Sequence, residues 1–268
     1  MFKWGLKLWS PNTGEYRDEA IRLFQSGLIH YIELYVVPDT LDTLPLWRGT
    51  PIPFAIHAPH FAHGFNLAKS DKEGYNRQLF DQVRWFADEL GALFIVIHGG
   101  IDGTIEETAR QINGLQDHRL RLENKPSKAL PNKMGGEMGE GWCRGSTPEE
   151  ISYVMTATGC GHCLDIGHAV CAANYRGENP LAVIDSFLAL EPATIHLSDN
   201  EWLGIWDEHR HFGEGDYPIA SLLKKLPAGI PLAIETIKSH PTSLHDFELD
   251  VRYLVACLED SGGHHDQR

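Results

Sequence analysis

The sequence predicts an α/β chain folded as a single (β/α)8 barrel of the TIM type, and three observations lead there. Short β-type runs alternate with segments of helical period eight times within 268 residues, which is the pattern of parallel βα units. Eight units in the length of one domain close on themselves more readily than they build an open sheet. An open dinucleotide-binding sheet would also carry a Gly-rich phosphate turn after its first strand, whereas the chain there reads WSPNTGEY, with no GxGxxG.

In chain order, the strands are expected at FKWGLKLW (residues 2–9), YIELYV (31–36), FAIH ending at His57 and FIVIH ending at His98. RLRLE then ends at Glu123, HCLD at Asp165, TIHLSD surrounds His196 and PLAIE ends at Glu235. Helices are expected between them. In DKEGYNRQLFDQVRWFADELG, Leu79, Val83, Phe86 and Leu90 fall on one face, and SLHDFELDVRYLVACLED provides a second example near the end. Residues 124–147, NKPSKALPNKMGGEMGEGWCRGST, are too rich in Gly, Pro and Lys for a helix, and are long enough to act as a lid on the C-terminal face. The tail SGGHHDQR (261–268) is expected to fray, leaving its histidines solvated. No shift in composition divides the chain, so one domain over 1–268 is expected.

Composition narrows the class. With 42% hydrophobic and 22% charged residues, a large closed core is available. MFKWGLKLWSPN has no uninterrupted apolar stretch, and the longest apolar run, ALFIVI before His98, is too short to cross a bilayer. A cytoplasmic protein with no membrane partner is therefore expected. The five cysteines, at 143, 160, 163, 171 and 257, are odd in number and irregular in spacing, as reduced thiols would be. Cys160-Gly-His-Cys163 has no second CxxC and is read as chance spacing. A net charge of −14 counts against a large surface for a nucleic-acid backbone, which is bound chiefly by Lys and Arg.

The chemistry is expected at the strand ends. His57, His98, Glu123, Asp165, His196 and Glu235 lie at or near the C-terminal ends of six of the eight predicted strands, and in a parallel barrel those ends converge on one mouth. Crowded carboxylates and imidazoles need cations to neutralise them, and nitrogen and oxygen donors suit zinc, manganese or iron. His168 follows Asp165 by three residues where the chain turns off the strand. Asp207 and His209, two apart in WDEHRHFGEG, would point the same way in an extended segment. Gly213 and Gly215 would let the backbone pass close to a bound group. Asp199 is expected to orient an imidazole, and Glu33 either points into the mouth or joins a salt bridge. His60, His63, His118, His162 and His211 are expected to be ordinary packing residues.

The runs IHAP (56–59), VIHGG (96–100), LEN (122–124), LDIGHA (164–169), IHLSD (195–199), DEHRHFGEG (207–215) and AIET (233–236) resemble the xylose isomerase-like TIM-barrel superfamily, also described as AP endonuclease family 2. The order of the motifs is most similar to the endonuclease IV branch. The resemblance implies up to three divalent ions, zinc first and manganese or iron otherwise. His57, His98 and Glu123 would hold one. Glu123 would bridge to a second, held also by Asp165, His196 and Glu235, and His168, Asp207 and His209 would hold a third. It implies hydrolysis of a phosphate ester or phosphodiester with Glu123 and Glu235 as catalytic groups, while Lys125, Arg144, Arg210 and Glu33 are candidate substrate contacts.

Two departures bear on the partner. KPSKALP follows Glu123-Asn124 in place of a small, Gly-rich continuation, and IELYV lacks the polar and basic loop that would penetrate an abasic duplex. A small phosphate ester or carbohydrate is thus favoured over DNA. The alternative enzyme is a sugar or sugar-phosphate isomerase or epimerase, which relatives in the superfamily run with one metal on residues matching Glu123, Asp165, His196 and Glu235. An iron-dependent oxidase and a non-catalytic metal-binding module remain as further readings of the same donors.

Overall fold

The structure, a computed structural model, describes residues 2–12, 14–129 and 140–262, with side chains to Glu259. The barrel strands are β1 (Lys3–Trp9), β2 (Tyr31–Tyr35), β3 (Phe54–His57), β4 (Ile95–His98), β5 (Leu120–Glu123), β8 (Gly161–Asp165), β9 (Thr194–Leu197) and β10 (Pro231–Ile234). They close in the order β1-β10-β9-β8-β5-β4-β3-β2, and every pair in the ring is parallel. The single barrel read from the sequence is the fold observed. The long helices follow the apolar periods: the helix Glu73–Glu89 buries Leu79, Phe80, Val83 and Phe86, and the helix His245–Gly262 covers the end of the chain.

Side chains alternate inward and outward along each strand. The inward positions below the mouth, Tyr31, Ala55, Phe94, Val96, Cys163 and Ala233, form a dry plug. It closes the barrel as a packed core, leaving the C-terminal mouth as the open end. A Cβ at Gly5 would lie 2.3 Å from the ring of Tyr31, so this inward glycine makes room for the plug.

Between β5 and β8, the arms of the long connection pair as two short antiparallel strands, β6 (Lys128–Ala129) and β7 (Gly141–Trp142). They lie against the segment after β4 through the Ile101–Cys143 bridge. Of the connection expected as a lid at 124–147, residues 130–139 lie outside the described residues, as do residues 263–268 of the tail expected to fray at 261–268, while Ser261 and Gly262 still belong to the last helix. All five cysteines are free. No helix among the described residues is long and apolar enough to cross a membrane.

Candidate metal centre

Register brings the donors together. His98 is level with Glu123 on adjacent strands, Asp165 is level with His196, and Lys7 is level with Glu33. These six residues turn inward at the mouth, and all are buried except Lys7, which is half-buried. Glu123 is the centre of the cluster. Its Oε2 lies 3.0 Å from His57 Nε2 and 2.9 Å from His98 Nε2, and its Oε1 lies 2.9 Å from His168 Nδ1. His196 Nδ1 lies 3.0 Å from Glu235 Oε1, 3.6 Å from Glu123 Oε2 and 3.9 Å from Asp165 Oδ2.

This donor set fits divalent cations, and the hydrogen bonds give the reason. Burial, reinforced by Lys7 for His57 and by Lys125 for His98, holds both imidazoles below their ordinary pKa range, so they are neutral. His57 Nδ1 donates to the Ala58 carbonyl at 2.7 Å, which leaves an Nε2 lone pair facing the Glu123 carboxylate. Two acceptors 3.0 Å apart repel unless a cation lies between them. His196 Nδ1, His98 Nδ1, His209 Nδ1 and Asp207 Oδ1 are buried with no hydrogen-bond partner, a costly state that coordination of the mouth-facing atoms would relieve. Burial, together with the Asp207, Glu235 and Glu123 carboxylates, pushes Asp165 up to about 6, as befits a group short of positive charge. Among the described residues, four compact donor sets, each with its atoms within 4.8 Å of one another, lie here: Glu33/His57/His196/Glu235, His57/His98/Glu123, Glu123/Cys163/His196 and Glu123/Asp165/His168.

The sequence reading missed Lys7. Its ammonium lies 2.7 Å from Glu33 Oε1 and 2.5 Å from Glu235 Oε1, and these carboxylates, with Glu123, raise its pKa against burial. Lys7 is an inward position two residues before the end of β1, the counterpart of Glu33 in β2; strand alternation would have found it. Glu33 points into the mouth, with Oε2 3.1 Å from His196 Nε2. Burial would raise its carboxyl, but His196 and Lys7 outweigh that and hold it near about 2. The residue that orients His196 is therefore Glu33. Asp199, expected to orient an imidazole, instead accepts from the backbone N–H of Asn200, Gly213, Gly215 and Tyr217 at 2.8–3.2 Å. Gly215 makes its close approach there as well: a Cβ would lie 2.3 Å from the Asn200 carbonyl oxygen and 2.5 Å from Asp199 Oδ1.

His168 is drawn in because Asp165 caps the helix Ile166–Arg176, accepting from the His168 N–H at 2.7 Å. Asp207 Oδ2 lies 3.1 Å from His168 Nε2 and 2.9 Å from His209 Nε2, so these three residues meet. The extended segment expected at 207–209 is not extended: His209 has φ 52°, a left-handed conformation that costs about 1 kcal/mol or more in a non-glycine residue. That turn brings its ring back to Asp207. Lys125 reaches the mouth, with Nζ 3.3 Å from Glu123 Oε1 and 3.1 Å from His168 Nε2. Arg144 and Arg210 do not. Arg144 bonds to the Gly103 carbonyl and Glu150, and Arg210 to Glu201 and Glu208, because acidic neighbours close in sequence hold them.

The mouth opens into a cavity of about 530 Å³. Its wall adds Trp9, Tyr35, His60, Phe61, Ile237 and Lys238 to the donors. His60, expected as packing, both lines this cavity and caps the turn at Ala62. His211 is a packing residue held by Asp250 at 2.8 Å, and His162 is buried beside Phe187.

A closed parallel barrel with histidine and carboxylate donors converging on its C-terminal mouth defines a class, and the chain belongs to the xylose isomerase-like TIM barrel family, described also as AP endonuclease family 2, whose model matches residues 47–257. It is 28% identical over 212 residues to a protein named Probable endonuclease 4 from Mycobacterium leprae, covering 74% of this chain and 79% of that one. Endonuclease IV from Thermus thermophilus superimposes with TM-score 0.68 at 20% identity, over 96% of this chain and 99% of its own. A D-tagatose 3-epimerase-like protein gives TM-score 0.69 at 18% identity, over 97% and 98%. At those identities the two structures speak for the fold.

Proposed function

We propose that the chain is a metal-dependent hydrolase of small phosphate esters. The observation that carries this reading is Glu123, one buried carboxylate met by His57, His98 and His168 within 3.0 Å, with the neutral His57 turning a lone pair towards it. His57, His98 and Glu123 would hold one ion, and Glu123, Asp165, His196 and Glu235 a second, with His168, Asp207 and His209 as the remaining donors. Divalent ions, zinc before manganese or iron, would supply Lewis-acid charge and an activated water. Glu123 would be the donor common to both, and Glu235, paired with Lys7 and 3.0 Å from His196 Nδ1, would complete the second set.

The residues around the donors favour an anionic substrate of limited size. Lys7, Lys125 and Lys238 line the cavity, and Trp9, Phe61 and Ile237 offer apolar surface for the organic part. A net charge of −14 weighs against duplex DNA. The test is turnover of bis(p-nitrophenyl) phosphate and of a phosphomonoester by zinc-loaded protein, with loss on chelation and recovery on reloading. No turnover of either ester would sink the reading. A second reading, a sugar or sugar-phosphate isomerase or epimerase, is favoured by Lys7 between Glu33 and Glu235 and by a cavity suited to one monosaccharide. Interconversion of ketohexose epimers with phosphate esters left intact would select it.

A further inference from the structure

On one side of the mouth, each ionic side chain is followed along its own strand by an apolar one. Lys7, Glu33 and Glu235 form an ion-paired group at the mouth ends of β1, β2 and β10, three strands consecutive in the ring. Two residues further on stand Trp9, Tyr35 and Ile237, and all three line the cavity. Trp9 keeps the inward parity of Lys7 and is in register with Tyr35. Their ring centroids are 5.4 Å apart, and Tyr35 in turn stacks on His57 at 5.3 Å and 30°. The Trp9 side chain is 52% exposed, yet its place is fixed. Its backbone N–H donates to Asn12 Oδ1 at 2.6 Å, the Asn12 N–H donates to the Trp9 carbonyl at 2.9 Å, and Tyr35 packs against the indole. Trp85 and Trp142 are as exposed but stand outside this cavity. Ile237 carries no hydrogen-bonding side chain, and the Tyr35 hydroxyl is already engaged by His63 Nδ1 at 2.8 Å and by the His60 N–H at 3.1 Å. A hydroxyl-rich group laid against Tyr35 and Ile237 would give up water without replacement, whereas a flat ring would gain the face of a preorganised indole.

We propose that Trp9 selects the organic group of the substrate by stacking a flat aromatic ring, so that the preferred substrates are phosphate esters bearing an aromatic group. The proposal rests on the reading of the donors as the phosphate-holding end of the site, and it names the substrate class. The phosphoryl group would lie at the donors, with the ring extending past Lys7 to Trp9 and Ile237. The charged end of the ester then faces the ionic residues and its apolar end the rim, which matches the order of side chains along β1, β2 and β10.

The experiment measures binding to zinc-loaded protein by isothermal titration. Benzylphosphonate is the aromatic probe, cyclohexylmethylphosphonate its non-planar counterpart and methylphosphonate the headgroup alone. The wild-type chain is expected to bind benzylphosphonate most tightly. Trp9→Leu keeps an apolar side chain but removes the ring face, and should weaken benzylphosphonate by about 2- to 12-fold, the range of one aromatic pair, with the other two probes changed by less than about twofold. Trp9→Phe should restore most of the affinity, and Trp142→Leu should behave as the wild type. Equal wild-type affinities for the benzyl and cyclohexylmethyl probes would overturn the proposal, as would a Trp9→Leu variant that weakens all three probes alike or none of them. Those results leave the hydrolase reading standing wherever a phosphate ester is turned over. Discrimination through Trp9 without turnover of any ester would sink the hydrolase reading alone, and binding of none of the phosphonates would remove both.

Discussion

The two halves of the mouth are built by different means. His57, His98, Glu123, Asp165 and His196 are strand residues, and their relative heights are fixed by ladder register. Asp207 and His209 lie on the connection after β9, where the backbone ties are the Asp199–Arg210 bridge and the Ile237 N–H on the His209 carbonyl at 3.0 Å, not a strand ladder. Two buried carboxylates do that work instead. Asp199 gathers four backbone N–H groups. Asp250, on the last helix, accepts from His211, from the Phe212 N–H and from the Thr236 hydroxyl at 2.6–3.0 Å, tying the connection to the residue after Glu235. The contrast teaches that a strand donor depends on the fold as a whole, whereas a loop donor depends on a few named hydrogen bonds and can be lost without unfolding the barrel.

The largest effect is expected on the strand side. Glu123→Gln keeps the volume of the side chain but removes the charge shared by three imidazoles and Lys125. Phosphodiester turnover should fall to background and zinc content should drop, measured by initial rates and elemental analysis on the same preparation. Full turnover would break the comparison at its root. On the loop side, Asp199→Ala leaves four backbone donors to find water, at a net cost of about 3 kcal/mol, or roughly 6 to 12 °C in melting temperature. Barrel circular dichroism and the ion held by His57 and His98 should persist. If that ion is lost along with the loop, the two halves are not independent.

The strand half was the legible half. Inward alternation and the convergence of parallel strand ends let His57, His98, Glu123, Asp165, His196 and Glu235 be picked out from residue type and position, and the register then sets them side by side. Lys7 was equally available by the same alternation but was passed over, because a search for metal donors ignores a cation. The loop half was less legible. That Asp207 and His209 would meet was expected from an extended backbone, yet they meet through the left-handed turn at His209. The orienting role expected of Asp199 falls to Glu33, since which carboxylate faces His196 depends on where the inward positions of β2 and β9 meet inside the barrel and not on nearness in sequence. Arg144 and Arg210 look like anion clamps by type alone; Glu150, Glu201 and Glu208 hold them elsewhere.

Glu33→Gln sharpens the comparison within the strand half. It removes the carboxylate charge that bonds His196 Nε2 and one of the two partners of Lys7. A group that orients a liganding imidazole is worth about 10- to 100-fold in metal affinity. A competition titration with a chromophoric chelator should show one zinc weakened by that factor and the other unchanged. Equal affinities in variant and wild type would assign Glu33 to the substrate.

The smallest effect concerns Lys238, at the rim of the cavity beyond Glu235. Burial pushes its ammonium down to about 8, against the pull of Asp246, Asp250 and Glu235, and its Nζ donates to the Thr236 carbonyl at 2.5 Å. The charged form is present below about 8 and is lost as pH rises through that value, so attraction for an anionic ester should weaken on the alkaline side. KM for a phosphomonoester should rise about two- to fivefold between about pH 7 and 9, the size of one partly solvated ion pair. Lys238→Met should show the raised KM at both pH values, and the strand-borne donors should keep kcat of the variant near that of the wild type. A KM profile in the variant that still climbs like that of the wild type would place the titrating charge among the donors themselves, and the rim would then have no part in holding the substrate.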